Sequence, residues 1–213
     1  MAFQLTPEQE MIRLMARDFA KRELEPFAGT WDRDEVFPEA AIRKMGGLGL
    51  MGMMLPIEYG GAGAGAVSYS LALQEIAAAC ASTAVTMSVT NLSSDPILKF
   101  GSEEQKRKFL VPLARGEMLG AFAVTEPEAG SDPGSMTTRA EDRGDHYLVN
   151  GSKIFITNGS RADVIVLIVR TGSEKSNRGL SALLLTKGTP GFRIGRRDEK
   201  MGLRASDTVE LLF

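Results

Sequence analysis

The sequence has few of the residues on which thiol, metal and triad chemistry depend. Its 213 residues include one cysteine, Cys80, and one histidine, His146. A single cysteine excludes an internal disulfide, and because Cys80 stands in an alanine-rich apolar run, we expect a buried, inert thiol. A single histidine excludes a histidine-rich metal site and leaves little room for a Ser-His-Asp arrangement. Catalysis, if present, must use other groups.

The sequence also lacks an excess of one charge and a long apolar run. Lys and Arg number 25 against 27 Asp and Glu, so the net charge is −2 and neither nucleic acid nor an acidic membrane surface is favoured as a partner. No apolar run approaches the roughly 18 residues of a membrane span. Glu8 and Glu10 stand where a signal peptide would be basic and then apolar. We expect a soluble protein of a reducing compartment, the cytoplasm of a bacterium or a mitochondrial matrix.

Helical signals dominate the first half of the chain. Capping boxes at Thr6-Pro-Glu-Gln9 and Ser102-Glu-Glu-Gln105 predict two helix starts. Pro26 is expected to end the first helix, and Pro96 to kink or divide a later one. The glycine-rich stretch 55–65 is predicted to link helices, because a dinucleotide-binding loop would need a β-strand before it.

The periodicity changes to that of strands near residue 118. Polarity alternates on both sides of Arg143-Gly-Asp145, which predicts a hairpin. Residues 162–169 are apolar and β-branched like a central strand, and further strands are predicted at 180–186 and 208–213. The sequence therefore predicts an α+β protein, with an all-α domain over residues 1–117 and a mostly antiparallel, barrel-like or sandwich-like β-domain over residues 118–213.

A short apolar strand changes abruptly into a polar turn in the stretch Gly120–Asp132. Pro127 and Gly130 forbid continuation of the strand, which should end near Thr125. Gly130 would let the backbone approach a ligand closely, and Ser131 adds a hydroxyl that suits a phosphate or the polar edge of a ring.

Three acidic residues in the same loop oppose the binding of an anion. Glu126, Glu128 and Asp132 would repel a phosphate unless their side chains point away from it. On physical grounds alone, a capped surface turn is the alternative. A second stretch, Asn150–Gly159, is by itself only a strand that enters an Asn-Gly turn.

The string Thr125-Glu-Pro-Glu-Ala-Gly-Ser-Asp132 closely resembles the signature of acyl-CoA dehydrogenases. Similar matches to that family extend over essentially the whole chain. They lie at Pro56–Gly63, at Pro96–Lys106, where short-chain and branched-chain members are most similar, at Asn150–Gly159 and at Met201–Thr208.

The resemblance implies an FAD site and assigns residues to it. The flavin ring would be lined or bonded from the first motif by Phe122, Val124 and Thr125. The cofactor and the CoA ester would be met by Gly130 and Ser131, and Ser131 would also bind substrate. The other side of the flavin would be packed by Phe155, Ile156 and Thr157. Phe155 departs from the tryptophan of many relatives and therefore lacks an indole N–H.

The resemblance also implies α,β-dehydrogenation of an acyl-CoA thioester to a 2-enoyl-CoA. A glutamate removes the α-proton, flavin takes the hydride, and electron-transfer flavoprotein takes the electrons. In the family that glutamate lies on a further helical domain, here expected beyond Phe213, so the 213 residues alone are expected to be an inactive fragment of a protein that is usually a homotetramer. The alternatives are an acyl-CoA oxidase or flavin monooxygenase of the same fold, and a non-catalytic acyl-CoA-binding or protein-binding module.

Overall fold

The computed structural model describes residues 4–173 and 176–213, which divide into two compact units. The helical unit contains the residues up to Met118 together with Lys200–Ser206. The β-unit contains Leu119–Glu199 and Asp207–Phe213.

Six α-helices form the helical unit within the described residues. They are α1 (Pro7–Phe19), α2 (Glu25–Asp34), α3 (Glu39–Gly47), α4 (Gly65–Ala79), α5 (Ala81–Phe100) and α6 (Glu103–Ala114). Both predicted capping boxes are confirmed. The Thr6 hydroxyl accepts from the Gln9 amide at 3.2 Å, and the Gln9 side chain accepts from the Thr6 amide at 3.0 Å. Ser102 and Gln105 make the same pair of bonds before α6.

The prediction that Pro26 ends the first helix is wrong. Helical structure continues from α1 through a π-helical turn, Ala20–Leu24, and Pro26 lies in the first turn of α2, where a helix needs no amide donor. Pro96 lies inside α5, which is not divided, so the predicted division is wrong and the predicted kink stays a prediction. Ser94 and Ile97, on either side of Pro96, are buried, and this packing offsets the loss of one backbone hydrogen bond.

Side-chain packing and ion pairs join the helices. α1 packs against α4, α4 against α5, and α5 against α6. The Arg17 guanidinium donates two hydrogen bonds to the Glu75 carboxylate, at 2.9 and 2.7 Å, and so links α1 to α4. Residues 200–206 join this unit at the end of α2, where the Arg204 amide donates to Asp32 at 2.7 Å and its guanidinium to Glu35 at 2.5 Å.

The described part of the β-unit contains eight strands in two sheets. They are β1 (Gly120–Ala123), β2 (Arg139–Asp142), β3 (Tyr147–Asn150), β4 (Ser152–Thr157), β5 (Val164–Arg170), β6 (Leu180–Thr186), β7 (Arg193–Arg197) and β8 (Thr208–Leu212). The larger sheet has the order β1-β5-β2-β3, and β6 also pairs with β5, off this path. The smaller sheet has the order β4-β8-β7.

The predicted fold class is confirmed. β5 is the central strand, and it is antiparallel to β6 but parallel to β1 and β2. The hairpin of β2 and β3 and both pairings of the smaller sheet are antiparallel. Over the residues described, the strands form two open sheets rather than a closed barrel. Apolar side chains of both sheets, among them Ile156, Leu167 and Leu211, share one core.

Among the described residues, none of the helices has both the length and the apolar character that crossing a bilayer requires.

Candidate functional site

The first motif leaves β1 and folds into a tight turn. Val124 and Thr125 are half-buried at the end of the strand. The Glu126 amide then donates to the Ala129 carbonyl at 2.8 Å, and the Ala129 amide donates back at 3.2 Å. This reciprocal pair closes the turn and leaves the next residue, Gly130, exposed.

The loop after the turn offers backbone and hydroxyl groups to solvent. Gly130 and Ser131 are both exposed, and a Cβ added at Gly130 would meet no atom within 4 Å. Asp132 uses one carboxylate oxygen to accept from the Gly134 amide at 3.0 Å. A ligand could therefore approach the backbone at Gly130 without displacing protein atoms.

A polar groove of about 610 Å³ lies beside this loop. Its walls carry hydroxyl, amide and guanidinium groups, which suit a polar ligand; the lining includes Asp132, Ser135, Thr137, Arg139, Ser173 and Asn177. The buried Arg170 donates to the carbonyls of Met136 at 3.1 Å and Gly134 at 2.6 Å, and so supports one wall from behind.

A backbone hydrogen bond brings the two predicted motifs together. The Ile154 amide of β4 donates to the Thr125 carbonyl at 2.9 Å, although 29 residues separate them in the chain. The residues assigned to the two sides of a flavin therefore lie on neighbouring strands. Phe122 on β1 and Thr157 on β4 are both half-buried.

Phe155 and Ile156 point in opposite directions from β4. A bulge interrupts the pairing of β4 with β8 between Lys153 and Ile156. Within the bulge, Phe155 has a left-handed backbone with φ of 58°, and 62% of the residue is exposed. Ile156 is 2% exposed and belongs to the core. A ligand at this surface would touch the ring of Phe155, but only the backbone of Ile156.

A buried ion pair lies behind the two motifs, and sequence reasoning missed it. Lys153 is fully buried, and its Nζ donates to Glu126 Oε1 and to the Val124 carbonyl, both at 2.8 Å. Glu126 also accepts from the Thr137 amide at 2.6 Å and the Thr138 amide at 3.0 Å. The carboxylate expected to oppose an anion therefore points into the protein. The available signal was a single lysine in the otherwise apolar strand Lys153-Ile-Phe-Ile.

These contacts shift the pKa of both partners. Burial acts to raise the pKa of Glu126, but hydrogen bonds from Lys153, Thr138 and Thr137 outweigh it and lower the pKa from 4.5 to about 2. Burial lowers the pKa of Lys153, and the Glu126 carboxylate opposes that change. Nζ is surrounded by a carbonyl, a carboxylate and the Met136 sulfur at 3.7 Å, all acceptors, which suit the ammonium form.

A second buried group anchors the other end of β4. Asn158 is fully buried in a left-handed conformation with φ of 63°, and its side chain donates to the Gly120 carbonyl at 3.0 Å. Its amide donates to the Asp207 carbonyl at 2.9 Å, and the Asp207 carboxylate accepts from the amide and hydroxyl of Ser160, both at 2.8 Å. β4 is thus attached to both ends of β1.

The surface formed by these residues fits a flat, partly polar ring such as flavin. An aromatic ring is presented to solvent by a strained backbone, which a protein retains mainly where the position is used. The half-buried Thr125 hydroxyl and the open backbone at Gly130 stand on the neighbouring segment. The residues predicted for an FAD site are therefore compatible with that cofactor.

Comparison with known proteins agrees with this geometry. The short-chain specific acyl-CoA dehydrogenase of Clostridium acetobutylicum is 48% identical over 214 residues, which cover 100% of this chain and 56% of that protein. A structure from work on the electron transferring flavoprotein of Acidaminococcus fermentans and flavin-based electron bifurcation superposes with a TM-score of 0.96. It is 44% identical, over 100% of this chain and 56% of that one.

A third similar protein was solved with a reduced flavin. The glutaryl-CoA dehydrogenase of Mycobacterium smegmatis in complex with FADH2 superposes with a TM-score of 0.91 at 37% identity, over 98% of this chain and 53% of that one. The present chain spans about half the length of the curated relatives it matches. Residues 6–117 match the family model of the acyl-CoA dehydrogenase N-terminal domain, and residues 121–213 match that of the middle domain. The chain belongs to the acyl-CoA dehydrogenase family.

Proposed function

We propose that the protein containing these residues is an FAD-dependent dehydrogenase of short-chain acyl-CoA thioesters. The observation that carries the proposal is the exposure of the Phe155 ring on a bulge with a left-handed backbone. The neighbouring Ile154 amide donates a hydrogen bond to the Thr125 carbonyl of the first motif. The choice of short-chain substrates is supported by the 48% identity to the Clostridium acetobutylicum enzyme.

Each residue of the surface has a distinct part in this proposal. FAD, when bound, supplies the hydride acceptor. The Phe155 ring covers an apolar face of the cofactor, and the Thr125 hydroxyl bonds a polar edge, while Phe122 and Val124 keep water away from the strand end. Ser131 binds the thioester end of the substrate, and the polar groove beside it receives more distant polar parts of the CoA group.

The base that removes the α-proton is proposed to lie outside the described residues. Glu126 is unsuitable because it is buried and ion-paired, with its pKa lowered to about 2. A general base works best with a pKa near the operating pH. Glu128 is exposed on the loop after the strand. The proposal therefore assigns binding and orientation to this chain, and proton removal to a glutamate elsewhere in the full-length protein.

Two partners follow from the same proposal. Electron-transfer flavoprotein would accept the electrons, which the similarity to a structure from work on such a flavoprotein supports. A homotetramer is the assembly expected from the family. Both remain proposals for the full-length protein.

The decisive experiment compares FAD binding by the full-length protein and its matched variants. Gly130→Ala adds a Cβ that meets no protein atom within 4 Å, so the free energy of unfolding should change by less than about 0.5 kcal/mol, while the dissociation constants of FAD or acyl-CoA rise about tenfold. Gly202→Ala is the control, because a Cβ at that glycine also faces open space and its φ is not left-handed.

A charge at Phe155 gives a second test of the same surface. Phe155→Asp would place a carboxylate against an apolar ring and should expel FAD, whereas Tyr147→Asp, at a 48% exposed aromatic on β3, should not. A folded Phe155→Asp protein that remains fully yellow contradicts the proposal. FAD binding with no turnover of any acyl-CoA favours a non-catalytic module, and turnover that requires oxygen favours an oxidase.

A further inference from the structure

The Lys153–Glu126 pair is unusual because both charges are removed from water. Lys153 is fully buried and Glu126 is 3% exposed, so the pair lies in the interior of the β-unit. Removing two charges from water costs about as much as their attraction returns, so an apolar pair of similar volume is often equally stable or more so. Stability alone therefore does not account for a buried ion pair at this position.

The pair connects three segments that carry the candidate flavin surface. Lys153 stands two residues before Phe155 on β4, and its Nζ reaches the Val124 carbonyl at the end of β1. Glu126 begins the turn that leads to Gly130, and it holds the amides of Thr137 and Thr138 beyond that loop. Both termini of the Gly130–Ser131 loop are thus attached to one carboxylate.

The attachment matters because it connects strands of two different sheets. β1 belongs to the larger sheet and β4 to the smaller one, so no continuous ladder of backbone hydrogen bonds fixes the position of one strand relative to the other. Lys153 bonds one end of β1, and Asn158 bonds the Gly120 carbonyl at the other end. The strained Phe155 lies between these two anchors.

We propose that Lys153 and Glu126 are positioning residues for flavin: the pair sets the distance between the Phe155 ring and the Val124–Thr125 strand end. This inference rests on the proposed function, but it concerns residues that do not themselves contact the ligand. A lysine can bond the Val124 carbonyl and a carboxylate at once, because an ammonium has three donors. An apolar pair could fill the same space and could not hold that carbonyl.

The test separates positioning from stability in the full-length holoprotein. Lys153→Met leaves Glu126 buried without its cation, so it should lower stability and weaken FAD binding together. The double variant Lys153→Met/Glu126→Gln removes the unpaired charge and should recover much of the stability. The Val124 carbonyl still has no lysine donor in the double variant. Its FAD dissociation constant should therefore stay about 10- to 100-fold above wild type. The visible absorption band of the bound flavin should also differ in shape from that of the wild-type protein.

The matched control is Leu167→Ala, which removes a 1% exposed core side chain of β5 and leaves the ion pair intact. It should lower stability and leave the flavin spectrum of the folded protein unchanged. If FAD affinity and spectrum follow stability across all of these variants, or if the double variant recovers both, the pair is only structural and the inference is overturned.

A readout without flavin distinguishes this inference from the proposed function. Trp31 is the single tryptophan of residues 1–213, so in the chain of these 213 residues the background Trp31→Phe/Phe155→Trp places its one indole in the bulge. Adding the Lys153→Met/Glu126→Gln changes should shift its emission maximum and alter its quenching by acrylamide, while Leu167→Ala should not. An indole signal unaffected by the loss of the pair refutes positioning. Failure of the wild-type protein to bind FAD, with an indole that still responds, refutes the proposed function and retains only the part of the inference in which the pair sets the position of the Phe155 ring.

Discussion

At the scale of single residues, Phe155 combines an exposed ring with a backbone that aromatic residues rarely adopt. A left-handed conformation costs a residue with a Cβ atom roughly 1–2 kcal/mol, and glycine avoids most of that cost. Because the ring is largely exposed, we expect Phe155→Gly to raise the free energy of unfolding by up to about 1 kcal/mol while FAD binding weakens about tenfold. Urea unfolding of the apoprotein and FAD titration measure the two effects. Tyr147→Gly, at an exposed aromatic without positive φ, should only destabilise, and a Phe155→Gly variant that is less stable would contradict this account of strain.

At the scale of elements, the attachment of β4 to the first motif should respond to acid. The folded-state pKa of Glu126, about 2, lies below its usual 4.5, so its stabilisation is complete above pH of about 4.5 and is lost as the pH falls toward 2. The difference corresponds to about 3 kcal/mol. Glu126→Gln should be less stable at pH 7 and show a flatter decline in unfolding free energy between about pH 5 and 2.5, measured by denaturant titration. The exposed Glu128→Gln is the control and should follow wild type. Parallel profiles for Glu126→Gln and wild type would mean that the ion pair does not form.

At the scale of the whole molecule, the chain covers about half of its relatives, and Glu126, the carboxylate that follows the first strand, is buried with a pKa lowered to about 2 and is unsuited to act as a base. We therefore expect residues 1–213 alone, saturated with FAD, to show no oxidation of short-chain acyl-CoA above free flavin. The α-proton of a thioester is weakly acidic, and a positioned base contributes roughly 10² to 10⁴-fold. An assay with an artificial electron acceptor measures this, with the full-length protein as the positive control. Turnover that disappears in Glu126→Gln would place the base within these residues and overturn the assignment.

The sequence by itself determined the features that depend on neighbours along the chain. Each capping box joins two residues that are three apart in the chain, Thr6 with Gln9 and Ser102 with Gln105. Both boxes can therefore be predicted from the local sequence alone. The alternating and β-branched stretches likewise predicted β5, β6 and the hairpin, because the two-residue period of a strand can be recognised in consecutive residues. The candidate site was found through the strings around Thr125 and Phe155, by resemblance rather than by physical derivation.

Only the tertiary structure decided which of the site residues face solvent and which face a buried partner. Lys153 and Glu126 lie 27 residues apart, and the sequence cannot say whether a charge in a strand meets water or a buried partner. The bulge that exposes Phe155 and buries Ile156 depends on the register between β4 and β8, and residues 200–206 join the helical unit through Arg204. In each case the deciding partner is distant in the chain, so its contribution to the free energy exists only once the fold brings the two together.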